Sequence, residues 1–142
     1  MSAIQKLIQN DCCLMFEAMR RLIDGTCCLQ GEENLSAWDL FGKLQMAFLE
    51  HVEFEEAHVL DALSLEEREL HRAEHFRLCE LFKKIESKLE CMDGVSFRAA
   101  LCELMAELKS HHAHDVDMSE TDRLINDKNV QRFVERSNHM FL

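Results

Sequence analysis

The stretch SLEERELHRAEHFRLCELFKKIESKLECMDG, Ser64–Gly94, decides the fold. Ser64 followed by Glu67 is a capping box, in which a serine hydroxyl and a glutamate three residues on satisfy the backbone N–H groups that open a helix. Beyond it, apolar residues return at intervals of three and four, Leu78 and Phe82 among them, with neither proline nor glycine to break the run. Asp93-Gly94 then punctuates it, so the pattern predicts one helix from Ser64 to about Cys91. At 1.5 Å per residue such a helix is about 40 Å long.

The same periodicity recurs on both sides. Upstream, a segment from about Ser36 to about Ala62 starts with Ser36 and Asp39 as a first-turn cap. Before it, Ser2 to Asp24 carries Ile4, Leu7, Ile8, Met15, Met19 and Leu22 along an inner side and stops at Gly25, with a polar loop containing Gly31 and Asn34 between the two. Downstream, Ser96 can cap a fourth segment that runs to about Val116. Met118 to Leu142 reads as a short helix around Glu120–Ser137 followed by a tail. Long segments with short connections specify an all-α, up-down-up-down four-helix bundle. We expect a single domain over 1–142, with the bundle at about 2–118 and a short C-terminal helical extension at about 119–142.

Composition agrees with that reading. The chain has no proline, no tyrosine and four glycines, which suits long helices and argues against a turn-rich β fold. A formal charge of −11 without a basic patch excludes nucleic acid and anionic membranes as natural partners. No apolar run approaches a membrane span of about 20 residues and the N-terminus carries no signal-like pattern, so a cytoplasmic protein is expected. Cys12, Cys13, Cys27, Cys28, Cys79, Cys91 and Cys102 show no C-x-x-C spacing, so a zinc ribbon or thioredoxin-like motif is unsupported. Reduced thiols serving as small core residues are the expectation, with Cys12 set apart below. Nothing in the chain resembles a phosphate-cradling loop, a dinucleotide fingerprint or a nucleophile elbow.

The chemistry-bearing residues are histidines paired with histidine or carboxylate: His51 with Glu55, His71 with His75, and His112 with Asp117. Residues four apart share one face of a helix, a turn apart. Imidazole and carboxylate presented by several helices into a bundle are the ingredients of a di-iron or di-manganese site. The first two pairs lie about ten residues either side of the turn near Leu63–Ser64, and the second and third about twenty residues either side of Asp93-Gly94. With a fixed rise per residue, all three groups fall at one level of the bundle. The third pair is less tidy, because residues five apart are about 140° apart around the axis. By spacing alone, His111 with Asp115 or His114 with Asp117 would align better.

At these residues the chain resembles the hemerythrin family, including its bacterial and HHE-type members, which carry H-x3-E, H-x3-H and H-x4-D on successive helices. The matching strings are HVEFE (His51–Glu55), HRAEH (His71–His75) and HAHDVD (His112–Asp117), and the doubled acid Glu55-Glu56 after an aromatic residue also fits the bacterial pattern. The resemblance covers about residues 5 to 120 and selects His112 and Asp117 in the last helix. It implies two non-haem iron ions joined by an oxo or hydroxo bridge, or manganese in their place. Glu55 and Asp117 would bridge the metals, and His51, His71, His75 and His112 would be terminal ligands.

The family also places a histidine on its first helix, whereas this chain has none before His51. Cys12, Glu17 or Asp11 could stand in, or solvent could. Two six-coordinate irons need about twelve bonds, and four histidines, two bridging carboxylates and a bridging oxygen supply about ten. One histidine fewer therefore opens a second coordination position, at the iron to which the family binds O2. The resemblance implies a protein that binds or senses O2 or a related small diatomic or peroxide. The missing histidine favours a second possibility, a redox enzyme acting as an oxidase, peroxidase or NO-handling protein. His58, three residues after Glu55, is expected beside the site or in solvent, and His111, His114 and His139 outside the ligand set. Phe48, Phe54, Phe76, Phe82, Leu78, Leu104, Met105 and Leu108 are candidate core, Trp38 a plug at one end, and the apolar tail from Phe133 to Leu142 a packing segment.

Overall fold

A computed structural model describes the backbone of residues 3–58, 60, 63–114, 132 and 135, and within these the side chains other than those of 3–5, 7, 58 and 112–114. Four helices follow one another: α1 (Ala3–Gly25), α2 (Glu32–His58), α3 (Leu65–Glu90) and α4 (Gly94–His114). Each packs on its neighbours in sequence, and α4 closes back on α1, which makes a four-helix bundle. Cross-helix pairs run in opposite senses along successive helices. Phe48 meets Phe82 and Glu55 meets His75 between α2 and α3, while Glu74 meets His111 and Lys84 meets Glu103 between α3 and α4.

The core is built from one apolar line per helix, stepping by three and four. Ile8, Cys12, Met15, Met19 and Leu22 form it on α1, and Phe41, Leu44 and Phe48 on α2. Leu78, Phe82, Ile85 and Leu89 continue it on α3, and Phe97, Leu101, Leu104 and Leu108 on α4. Alternating steps of three and four keep each line facing the bundle axis, the knobs-into-holes arrangement of near-parallel helices. Each such large side chain, fully buried, contributes about 1.5–3 kcal/mol of transfer free energy. Phe48 stacks on Phe82 with ring centroids 4.7 Å apart, and Phe41 bridges Phe82 and Phe97 at 6.0 and 6.4 Å. This aromatic layer separates a mainly apolar end of the bundle from an end where the lines on α2, α3 and α4 turn polar.

At the apolar end, the helices are tied by their loops. The Glu33 carboxylate accepts the backbone N–H of Cys27, and those of Cys28 and Leu29 at 3.0 Å each. These backbone bonds, the Cys27 one foremost, hold the Glu33 carboxyl below its usual range. Arg98 donates to the carbonyls of Thr26 (2.7 Å) and Cys27 (2.8 Å), stitching α4 to the α1–α2 loop. Gly94 sits so close that a Cβ there would collide with the Cys27 carbonyl oxygen.

Helix starts differ from expectation in two places. α2 begins at Glu32, with Ser36 inside it, because Gly31 turns the chain at φ +60° and Glu32 and Glu33 favour the positive end of the helix dipole. α4 begins at Gly94, and its cap is Asp93, which accepts the Ser96 N–H at 3.1 Å; Ser96 itself is within the first turn. The Ser64 cap of α3 stands, its hydroxyl accepting from the Glu67 N–H at 3.2 Å.

Two packing expectations are corrected. Phe76 is 69% exposed, because it lies one position, about 100°, beyond the inward line at His75. Of the cysteines, Cys12 is buried and Cys79 half-buried, whereas Cys13, Cys27, Cys28, Cys91 and Cys102 are exposed free thiols in loops or on outer faces. Trp38 is half-buried against the core. Apart from Arg132 and Glu135, the C-terminal extension falls outside the described residues. Among the described residues no helix is long and apolar enough to cross a membrane.

Candidate metal centre

Above the aromatic layer the inward lines of α2, α3 and α4 continue in polar residues. On α2 the line Phe41, Leu44, Phe48 runs on to His51 and Glu55, and on α3 the line from Phe82 through Leu78 runs back to His75 and His71. On α4, Leu104 and Leu108 lead to His111, and α1 supplies Asp11. His51 and Glu55 have no exposed surface, and Asp11, His71, His75 and His111 keep 4% or less. Six ionisable side chains therefore occupy a layer that water does not reach.

Glu55 is the hub. Its Oε1 lies 2.5 Å from Nε2 of His51, and its Oε2 lies 3.0 Å from Nε2 of His75 and 3.4 Å from Nε2 of His111. His71 packs against the same group, with ring centroids 5.3 Å from His111 and 6.2 Å from His75. One ligand atom from each of Glu55, His71, His75 and His111 falls within 4.8 Å of all the others, a cluster that can hold a metal ion.

A second ring of carboxylates stands behind the imidazoles. Nδ1 of His51 faces Asp11 Oδ2 at 2.6 Å, Nδ1 of His75 faces Glu56 Oε1 at 3.2 Å, and Nδ1 of His111 faces Glu74 Oε2 at 2.5 Å. An ionised carboxylate only accepts, so each Nδ1 carries the hydrogen and donates outward. Each Nε2 is thereby aimed at Glu55. A bare nitrogen lone pair against a carboxylate oxygen is repulsive, so a cation, either a proton or a metal ion, has to stand between them. Outer carboxylates that fix the tautomer and raise ligand basicity are a regular accompaniment of metal-binding histidines.

Electrostatics follow from this layering. Burial pulls the His51 imidazole down, but the Glu55 charge and the hydrogen bonds that His51 donates to Asp11 and Glu55 outweigh it and hold its pKa well above 6.5. Burial pushes the Glu55 carboxyl up, yet the His51 charge and the hydrogen bonds of His111, His51 and His75 keep it well below 4.5. His71 is lowered, with burial the leading cause, so its imidazole is neutral at neutral pH. Imidazole with carboxylate is a donor set suited to iron, manganese or zinc.

His51, Glu55, His71 and His75 thus come together as their spacing predicts. His111 joins them, against the expectation that it stands outside the ligand set. The reason is register, since positions 104, 108 and 111 form one inward line. The side chains of His112, His58 and His114, and all of Asp117, lie outside the described residues. On α1, Asp11 is the residue that meets the site, through His51. Cys12 is buried in the adjoining core and is not among the four clustered residues. Glu17 is exposed, because it sits off the inward line of Met15 and Met19, so it does not replace the absent histidine. Glu74 was not singled out in the sequence. The available signal was an acid inside HRAEH, at the level of the α4 histidines.

Comparison with protein-family models, with curated proteins and with solved structures gives no match for this chain.

Proposed function

We propose that the protein is a non-haem di-iron protein of the hemerythrin type, which binds or senses O2 or a related small oxidant at the Glu55 hub. The observation that carries this reading is one buried carboxylate addressed by three imidazole Nε2 atoms, each backed by an outer carboxylate. The H-x3-E and H-x3-H motifs that resemble those of hemerythrins supply His51, Glu55 and His75 of these, and His71 beside them. On α4 His111 stands in the cluster, while the side chain of His112, which the motif selects, lies outside the described residues. Iron held there would supply open coordination positions and one-electron chemistry.

The chain's own residues have separable tasks. Glu55 provides the anionic charge that offsets a cation in a dry core. His71, His75 and His111 converge on one side of it, and His51 approaches from the other. Asp11, Glu56 and Glu74 keep the Nδ1 protons in place. Phe48 and Phe82 close the site from below and exclude water from that side.

Metal analysis after expression with iron tests the reading: we expect metal in the wild type and little in Glu55→Ala. Metal content near zero in a folded wild type would defeat it. Anaerobically reduced, iron-loaded protein mixed with O2 then separates two functions. A visible-absorption change reversed by degassing supports binding or sensing. A lasting change with peroxide turnover supports the redox enzyme, which the absence of a histidine on α1 favours.

A further inference from the structure

The loop that closes the apolar end carries two adjacent exposed thiols, Cys27 and Cys28. They lie between α1, which ends at Gly25, and α2, which begins at Glu32, so no helix hydrogen bond fixes the peptide that joins them. That one peptide group nevertheless supplies two ties. Its carbonyl, on Cys27, accepts from Arg98 of α4 at 2.8 Å and lies against Gly94. Its N–H, on Cys28, donates to Glu33 of α2 at 3.0 Å. The other thiols are placed differently. Cys12 is buried, and although Cys13 adjoins it, α1 holds their peptide and sets the two side chains about 100° apart. Cys79 is half-buried with its thiol pushed up by burial, Cys102 sits within α4, and Cys91 lies just beyond α3.

We propose that Cys27 and Cys28 form a peroxide-sensitive dithiol, whose closure to a disulfide loosens the tie between the α1–α2 loop and α4. One thiolate of the pair attacks an oxygen of hydrogen peroxide, the O–O bond breaks, and the sulfur becomes a sulfenic acid as hydroxide leaves. The neighbouring thiolate attacks that sulfur, the S–O bond breaks, and a second hydroxide leaves. The two thiol protons turn both hydroxides into water, so one peroxide is reduced as the two sulfurs are oxidised. Neighbouring Cα atoms stand about 3.8 Å apart, closer than the usual disulfide span of about 4.4–6.8 Å. The ring therefore closes only if the joining peptide turns, which moves the Cys27 carbonyl away from Arg98 and the Cys28 N–H away from Glu33. A strained, exposed disulfide is readily reduced again, so the change is reversible. This device stands at the opposite end of the bundle from Glu55 and does not depend on a bound metal.

Treating the full chain with stoichiometric hydrogen peroxide, with a chelator present to exclude metal-driven oxidation, tests this. Mass spectrometry after proteolysis should find two hydrogens lost within the peptide that holds both cysteines. The Tm should fall by about 5–9 °C, the loss of one charge-assisted hydrogen bond in a chain of this length. Dithiothreitol should restore both. Cys28→Ser should stop at a sulfenic acid on Cys27, trapped by dimedone, and should lose the Tm response. Cys91→Ser should behave as the wild type. Arg98→Met, whose tie is already cut, should form the same disulfide with less than half the fall in Tm. No loss of hydrogens in this peptide, a disulfide from either cysteine to Cys91 or to a second chain, or an unchanged Tm in the oxidised pair would overturn the proposal. Equal falls in wild type and Arg98→Met would overturn the release of the tie. Should Arg98→Met fail to fold, hydrogen exchange decides: the Cys28 amide should exchange faster in the oxidised chain, and an unchanged rate would overturn the release.

Discussion

Glu55→Gln in the metal-free protein tests how the polar layer is held when no metal is bound. The amide has nearly the volume of the carboxyl, so no cavity forms and the packing of Phe48 and Phe82 beneath is untouched. What is lost is the charge facing His51 at 2.5 Å, in a residue pair with no exposed surface. Removing one partner of a buried ion pair strands the other charge, at a cost of about 3–5 kcal/mol. For a chain of this length that is a fall in Tm of about 10–15 °C, at roughly 3 °C per kcal/mol. His51→Gln should cost a comparable amount. The double variant, with two neutral amides, should be less destabilised than the sum of the singles by about 1.5 kcal/mol or more. The assay is urea unfolding with a chelator present, followed by circular dichroism. Additive single effects, or a Glu55→Gln loss below about 1 kcal/mol, would refute the charge assignment.

Three further outcomes follow from other parts of the molecule. Gly94→Ala drives a Cβ into the Cys27 carbonyl and should cost about 1–3 kcal/mol in urea unfolding while leaving metal content per folded chain unchanged. Glu74→Ala, which removes the acceptor behind His111 Nδ1, should weaken Co2+ binding about 10–100-fold in calorimetry. The metal-free protein should be most stable near pH 6.5, as followed by its Tm. His51, raised above 6.5 in the folded state, contributes fully below 6.5 and loses its contribution as pH rises through its folded value. His71, lowered, costs stability as pH falls below 6.5, and Glu55, lowered, adds to the loss as pH falls below 4.5.

How far the site was legible in the sequence depends on which coordinate is asked for. Level along the bundle was legible, because the helix rise is fixed and turn positions can be read from Ser64 and from Asp93-Gly94. His51, Glu55, His71 and His75 lie at a common level for that reason. Azimuth on α4 was less legible, because His111, His112 and His114 crowd one turn and a family motif selected His112. The line Leu104, Leu108, His111 was present in the sequence as steps of four and three, and it is the register that brings His111 inward. On α1 the ambiguity had the same origin. Asp11 and Cys12 are adjacent, and both are buried, because the inner face of a helix is wide enough for two neighbouring positions. Which of them reaches the site depends on where His51 stands on α2, and no reading of one helix alone contains that. The roles of the outer carboxylates Glu56 and Glu74 were hidden for a related reason, since each acts on a histidine of another helix.

The double ring of carboxylates also determines what metal uptake must do to protons. Without metal, Nε2 of His51 donates to Glu55, while its Nδ1 donates outward to Asp11, because the facing carboxylates hold its pKa well above 6.5. A metal ion bound to Nε2 takes the place of that inner hydrogen and leaves the outer one. Uptake is therefore an exchange of cations at fixed Nδ1 protonation, and affinity should rise with pH as protons compete less for Nε2. The outer carboxylates confine that exchange to the inner nitrogens. The site can then change its metal occupancy without giving up the hydrogen bonds that hold His51, His75 and His111 in place.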